Sequence, residues 1–411
     1  MIKKLFERMP FGMDRQELML CLFTVVCGIV ALIVNGGAES VTDTVTCLEA
    51  WNVIRTGGID YMCTPVFPIV LGTVKALAGE TLWEGVIALL QLAVLTVSVC
   101  CFYRLCREFL HSERTAFWLS MILSVVTTTW IVFILTEPLV VSLTVFLLRV
   151  TVHLYERFSV RNAIMHGVLL LLLVFLRPAM IYLLPVFGVW WIFAAFKGRC
   201  LHSAAGIAGV VVVSGAMLLY MHAFERTYGR FMITAVTMTN QVEAARRYVD
   251  DDRGVIKIDD PVLMRELVES DSVNGNTYDR LMTYYREHPA VLAKSTFSRI
   301  YRLRSSRLFD FFMGPLATLT DIFMPRLPVV YLFLLFYGVL LACVAIRQRR
   351  LPPLSLLIWV LAMSHVAVTV VGAPCDYERL LLPAWPMLLL LTGQTVAMLR
   401  SGGSIANVDM K

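Results

Sequence analysis

Apolar residues fall in long blocks separated by short polar stretches. The blocks lie at about 17–35, 84–104, 115–135, 138–155, 163–176, 179–196, 203–222, 327–346, 354–371 and 380–399, and carry few charges. A helix of about 20 apolar residues crosses a hydrocarbon core about 30 Å thick and satisfies its own backbone hydrogen bonds there. The pattern predicts an all-α, polytopic transmembrane helical bundle of about ten spans. The block at 163–176 is short and is expected to run past Arg177. Two connections are long. The first, 36–83, holds an amphipathic run from Val41 to Arg55. After Pro65-Val66-Phe67-Pro68 comes a short apolar helix at about 66–78, expected to lie in the interface. The second, 223–326, reads as polar helices up to about Arg307, with Asp250-Asp251-Asp252 and Asp259-Asp260 as turns or caps. Its run at 308–325, broken by Gly314-Pro315, reads as a surface or re-entrant helix. The organisation is an N-terminal membrane module, 1–222, a mostly helical region outside the bilayer, 223–326, and C-terminal spans, 327–411.

Composition agrees. Of the residues, 58% are hydrophobic and 16% charged, with mean hydropathy +0.73; soluble domains sit near about 45–50% and 25%. The net charge of +6 is too small to point to a nucleic-acid partner. It is topological instead: Lys3, Lys4, Arg8 and Arg15, then Arg104, Arg107 and Arg114, Arg157 and Arg161, Lys197 and Arg199, and Arg347, Arg349 and Arg350 occupy every second short loop. The positive-inside rule puts both termini in the cytoplasm. The first block lacks an A-x-A site and reads as an uncleaved span. With no eukaryotic retention signal, a bacterial inner membrane is expected. The cysteines show no metal-type spacing. Cys47, Cys63 and Cys375 fall in outer connections, where a disulfide is left open. His153, His166, His222 and His365 are scattered and are given no metal role.

This topology gathers unusual polar residues on the outer face. The first outer connection brings Glu39, Asp43, Glu49, Arg55 and Asp60, the next turns Glu137-Pro138 and Arg177-Pro178, and the last Asp376-Tyr377-Glu378-Arg379. Arg299, Arg302, Arg304 and Arg307 add a basic run. Charges near the bilayer are costly and usually functional. Arginine suits bidentate phosphate binding, and a carboxylate beside it suits a general base or a metal. The plainer readings are helix N-terminal charges for Asp43, Glu39 and Glu137, snorkelling for Arg177, Arg379 and Lys75, and interfacial aromatics for Tyr61 and Tyr377.

In order, these motifs resemble the GT-C glycosyltransferases, polytopic enzymes that use polyprenyl-phosphate sugars. Asp43 in Glu39-Ser-Val-Thr-Asp43 matches their first-loop acid, and Thr64-Pro65-Val66-Phe67-Pro68 their proline-rich segment. Glu137 in Leu135-Thr-Glu-Pro138 matches the second acid, Leu176-Arg177-Pro178 the Arg-Pro, and Glu378-Arg379-Leu-Leu-Leu-Pro383 the motif before the last span. Thr64 replaces the first proline, and Thr44 stands where an acidic pair would be completed. The resemblance is closest to small bacterial members with glycan or lipid acceptors. It implies inverting displacement on the periplasmic side, with Asp43 as base and Glu39 and Glu137 as further candidate acids. Arg379, Arg177, Tyr377, Glu378, Lys75 and Tyr61 would bind substrate. A divalent metal, magnesium or manganese, is compatible with it; no residue is assigned as a metal ligand. The implied partners are a polyprenyl-phosphate sugar, a glycan, lipid or protein acceptor, and membrane lipids.

Two other classes use outer charges. A transporter or flippase would place polar groups near the midplane of repeated halves, and no repeat is visible. A glycan ligase or polymerase acting on polyprenyl-diphosphate donors would also need outer arginines.

Overall fold

The computed structural model describes residues 13–249, 258–269, 275–302, 327–349, 352–372 and 377–400. The described elements are helical. The membrane module comprises α1 (Arg15–Asn35), α2 (Thr42–Ile54), α3 (Val66–Ala78), α4 (Trp83–Leu110), α5 (Glu113–Thr128), α6 (Glu137–Glu156), α7 (Val160–Leu176), a 3-10 turn (Pro178–Tyr182), α8 (Leu183–Phe196) and α9 (Cys200–Tyr228). Then come α10 (Val236–Val249), α11 (Pro261–Glu269), α12 (Gly275–Glu287) and α13 (Pro289–Arg302). The chain ends with α14 (Leu327–Gln348), α15 (Pro353–Gly372), α16 (Tyr377–Leu381), a 3-10 turn (Leu382–Ala384) and α17 (Trp385–Arg400).

Among the described residues, eight helical segments are long and apolar enough to cross a bilayer. The protein is an integral, multi-pass membrane protein. Leu22, Val26, Ile33, Val211, Val212 and Leu219 are exposed on α1 and α9, the inverse of a soluble protein's surface and the natural face for lipid. The segment Arg379–Leu399 is instead 78% buried, against 17% for α9, so α17 is central and α9 peripheral. Close approach of helices needs small residues. A Cβ on Gly206 would fall 2.2 Å from the Trp191 ring, and Gly167 and Gly209 face each other across α7 and α9.

Capping fixes where the bundle starts. Asp14 Oδ1 accepts from Glu17 N at 2.8 Å and Glu17 Oε2 from Asp14 N at 3.1 Å, a reciprocal cap for α1. The same two acids hold the far end of α4: Arg107 Nη1 lies 2.7 Å from Asp14, and Arg104 Nη2 donates to Glu17 at 2.8 Å. Since successive spans alternate in direction, the described basic loops at Arg104 to Arg114, Arg157 to Arg161, Lys197 to Arg199 and Arg347 to Arg349 share this end. Residues 36–83, Glu137, Arg177 and Arg379 share the other.

Three sequence expectations change. The block at 115–135 is helical only to Thr128. There the hydroxyls of Thr127, Thr128 and Thr129 bond back to Leu123, Ser124 and Val126 carbonyls, which competes with helix continuation. Turns follow through Val132, and Glu39 pairs with Phe133 as an isolated bridge: Glu39 N donates to Val132 O at 2.8 Å and Ile134 N to Glu39 O at 3.1 Å. Glu39 therefore precedes α2 instead of opening it. Finally, α7 does not pass Arg177. It starts earlier, at Val160, and ends where Pro178 forces Arg177 into an extended conformation (φ −147°, ψ 114°). Such irregular backbone at membrane depth is tolerated because it is buried in protein; Trp130 to Leu135 are all buried.

The short apolar helix is present as α3, 13 residues long. The polar region has its own small core of Val242, Ala245, Leu263, Leu267, Leu281 and Tyr284. Asp260 caps α11, its Oδ1 accepting from Val262 N and Leu263 N. Asp250 to Asp252, the 308–325 run, Arg304 and Arg307 lie outside the described residues, as do the side chains of Arg299 and Arg302.

Candidate active site

Four of the sequence-selected residues meet. Arg379 Nη1 donates to Asp43 Oδ2 at 2.8 Å, across 336 positions of sequence. The same guanidinium places Nε 3.3 Å from Glu137 Oε1. That oxygen lies 3.2 Å from Arg177 Nη1. The result is a chain of alternating charge: Asp43, Arg379, Glu137, Arg177. It runs from the surface inward. The Asp43 side chain is 58% exposed and that of Arg379 22%, while Glu137 and Arg177 are buried.

Local structure holds each member. Asp43 stands in the first turn of α2, where a carboxylate suits the helix dipole. Its neighbour Thr44 is buried and donates from Oγ1 to Ile134 O at 2.6 Å. That bond ties α2 to the non-helical segment leading into Glu137. Glu137 opens α6 with Pro138 behind it. Gln91, buried within α4, donates from Nε2 to Leu135 O at 2.7 Å. Arg177 is set by the break before Pro178. His365 of α15 donates from Nε2 to Leu380 O at 2.9 Å, one residue past Arg379, and its ring lies 5.6 Å from that of Tyr182.

The remaining candidates separate from this cluster. Glu39 is exposed and held by its backbone bridge. Lys75 pairs with Glu80 at 2.8 Å and lies over the Trp83 ring. Tyr61 stacks on Phe224 and meets Tyr228 edge-on, where Tyr228 Oη donates to Ile59 O at 2.7 Å. These contacts join the first connection to the end of α9. The α10–α13 region sits over it, with Ala235 N donating to Tyr61 O at 2.8 Å and Gln241 Nε2 to Val371 O at 2.7 Å. Tyr377 and Glu378 lie in α16, their side chains outside the described residues. Thr44, Gln91 and His365 were not singled out as site residues. The available signal was a polar side chain within, or bordering, an apolar helix.

Among the described residues no three metal-ligating side chains gather. Asp43 and Glu137 offer two carboxylates, but the Arg379 guanidinium bridges them. A divalent cation there would have to displace it, so the described donor set does not fit a resident metal.

No protein-family model matches the chain, and no curated protein does. Similar solved structures include the following two. One is the archaeal oligosaccharyltransferase AglB from Archaeoglobus fulgidus, in complex with an inhibitory peptide and a dolichol-phosphate, at TM-score 0.53 and 11% identity, covering 94% of this chain and 51% of that one. The other is an Archaeoglobus fulgidus oligosaccharyltransferase in its apo form, at TM-score 0.45 and 10% identity, covering 96% and 55%. The chain thus spans about half the length of these structures. Over 94% of its length the chain shares the fold of the membrane part of an oligosaccharyltransferase structure.

Proposed function

We propose that this chain is an inverting membrane glycosyltransferase. It moves a sugar, hexose or pentose, from a polyprenyl-phosphate donor to a glycan, lipid or protein acceptor on the extracytoplasmic side, in a bacterial inner membrane. The observation that carries the reading is the convergence of Asp43, Glu137, Arg177 and Arg379 at the end of the bundle opposite the basic loops. The AglB structure contains a dolichol-phosphate and a peptide, which agrees with a lipid-phosphate donor here.

In this reading Asp43, the exposed end of the cluster, takes the proton of the acceptor hydroxyl. The hydroxyl oxygen attacks the anomeric carbon, the bond from that carbon to the phosphate oxygen breaks, and its electron pair leaves with the polyprenyl phosphate. Arg379 stands beside Asp43 and is itself partly exposed, so it neutralises the charge that develops on the phosphate. Arg177, behind Glu137, pairs with that carboxylate, which in turn fixes Arg379. Because Arg379 is already held by two carboxylates before substrate arrives, little reorganisation is needed during reaction. Glu39, Lys75 and Tyr61 remain candidates for substrate contact apart from this charge chain.

The test is transfer from isotope-labelled polyprenyl-phosphate hexose to membrane extract by protein in liposomes. Label transfer by the wild type supports the reading. Transport of the lipid-linked sugar across the vesicle wall without transfer would replace it with a flippase.

A further inference from the structure

Two thiol pairs lie in the bundle at the same separation. Cys47 Sγ is 3.1 Å from Cys63 Sγ, and Cys21 Sγ is 3.1 Å from Cys100 Sγ. Their settings differ. Cys21 and Cys100 belong to α1 and α4 near the Asp14–Arg107 end; Cys100 Sγ reaches Glu17 O at 3.7 Å. Cys47 lies on α2 one turn after Asp43, and Cys63 stands just before Thr64-Pro65, at the opposite end of the bundle. Thiols persist in a reducing cytosol and oxidise outside it.

We infer that Cys47 and Cys63 are joined as a disulfide in the mature protein, while Cys21 and Cys100 remain thiols. This inference rests on the outward placement of the site proposed above. The position of Cys63 is set in advance. The Asp60 Oδ1 accepts from both Met62 N and Cys63 N, at 2.8 and 2.7 Å, and this turn presents the Cys63 side chain to α2. The two sulfurs are in contact at 3.1 Å, about 1 Å beyond the covalent distance of about 2.05 Å, and a side-chain adjustment closes that gap.

The chemistry is thiol–disulfide exchange with a disulfide-bearing oxidant of the extracytoplasmic compartment. Cys63 is half-buried and Cys47 buried, so Cys63 reacts first. Its thiolate attacks one oxidant sulfur and the other leaves as thiolate. The Cys47 thiolate then attacks the Cys63 sulfur of the mixed disulfide and releases the second oxidant sulfur. The two protons of the cysteines end on the two oxidant thiols, and the oxidant gains two electrons. The bond would lock the helix carrying Asp43 to the segment that opens α3. With Thr44 bound to Ile134, α2 is then held on two sides.

The experiment uses full-length protein from membranes quenched in acid, denatured with a thiol-blocking alkylator and digested without reductant, with peptides read by mass spectrometry. The expected result is a linked Cys47–Cys63 peptide in most molecules, with Cys21 and Cys100 alkylated. Alkylated Cys47 and Cys63 in most molecules would overturn the inference, and a linked Cys21–Cys100 peptide would overturn the compartment argument. Intact cells treated with reductant and then a membrane-impermeant maleimide separate the two readings. If the bond is absent and Cys63 labels from outside, only the disulfide falls. If the bond is absent and Cys63 labels only after permeabilisation, the outward placement falls with it.

Discussion

Replacing Glu137 with glutamine takes the counter-charge from two arginines at once. Glu137 Oε1 lies 3.2 Å from Arg177 and 3.3 Å from Arg379. Glu137 is 2% exposed and Arg177 8%. Removing one partner of such a buried pair costs about 3–5 kcal/mol, because the other charge stays buried and uncompensated. Glu137→Gln should fall toward about 5 kcal/mol, since Arg177 loses the carboxylate it touches. Arg177→Met should stay nearer about 3 kcal/mol, because Glu137 retains Arg379. In the double variant no buried charge is stranded, so the loss should exceed that of Glu137→Gln by no more than about 1 kcal/mol, leaving a coupling of about 2–3 kcal/mol. Equilibrium unfolding in mixed micelles measures all four corners of the cycle. Two results would refute the reasoning: losses that simply add, or an Arg177→Met variant less stable than Glu137→Gln.

Three further substitutions probe the supports of the cluster. Thr44→Val removes the donor to the buried Ile134 carbonyl and should cost about 1–3 kcal/mol in the same unfolding assay, with slower transfer and unchanged donor binding. Gln91→Leu strips the Leu135 carbonyl of its partner within α4; a similar loss of about 1–3 kcal/mol is expected, and stability equal to wild type would show that the turn before Glu137 stands without it. Gly72→Ala would set a Cβ 2.2 Å from the Trp51 ring where α3 packs on α2, an overpacking that costs about 1–3 kcal/mol by the same measurement.

The sequence was informative where chemistry and periodicity coincide. Long apolar blocks announced α1, α4, α6, α9, α14, α15 and α17, because burial in lipid needs no pattern beyond length. Asp43, Glu137, Arg177 and Arg379 stood out as charges at span ends. What could not be read was their pairing: charge alone does not tell Arg379 of α16 that it meets Asp43, 336 positions away, and Glu137. The end of α5 was hidden because threonines are as compatible with an apolar block as with a broken helix. Thr44, Gln91 and His365 were hidden for a related reason. Each acts through a hydrogen bond to a backbone carbonyl far away in sequence, and no local pattern marks such a partner. Glu39 and Lys75 carry the charge expected of site residues; the structure places the first in a backbone bridge and the second in an ion pair beside Trp83.

The most direct measurement compares wild type with Asp43→Asn for transfer of labelled sugar from polyprenyl phosphate in liposomes. Asp43 is mostly exposed, and an exposed pair contributes only about 0–1 kcal/mol. The variant should therefore fold and bind donor like the wild type. Loss of transfer with donor binding and the unfolding midpoint intact is the result the account predicts. Equal transfer by both proteins would contradict it and move the base away from Asp43.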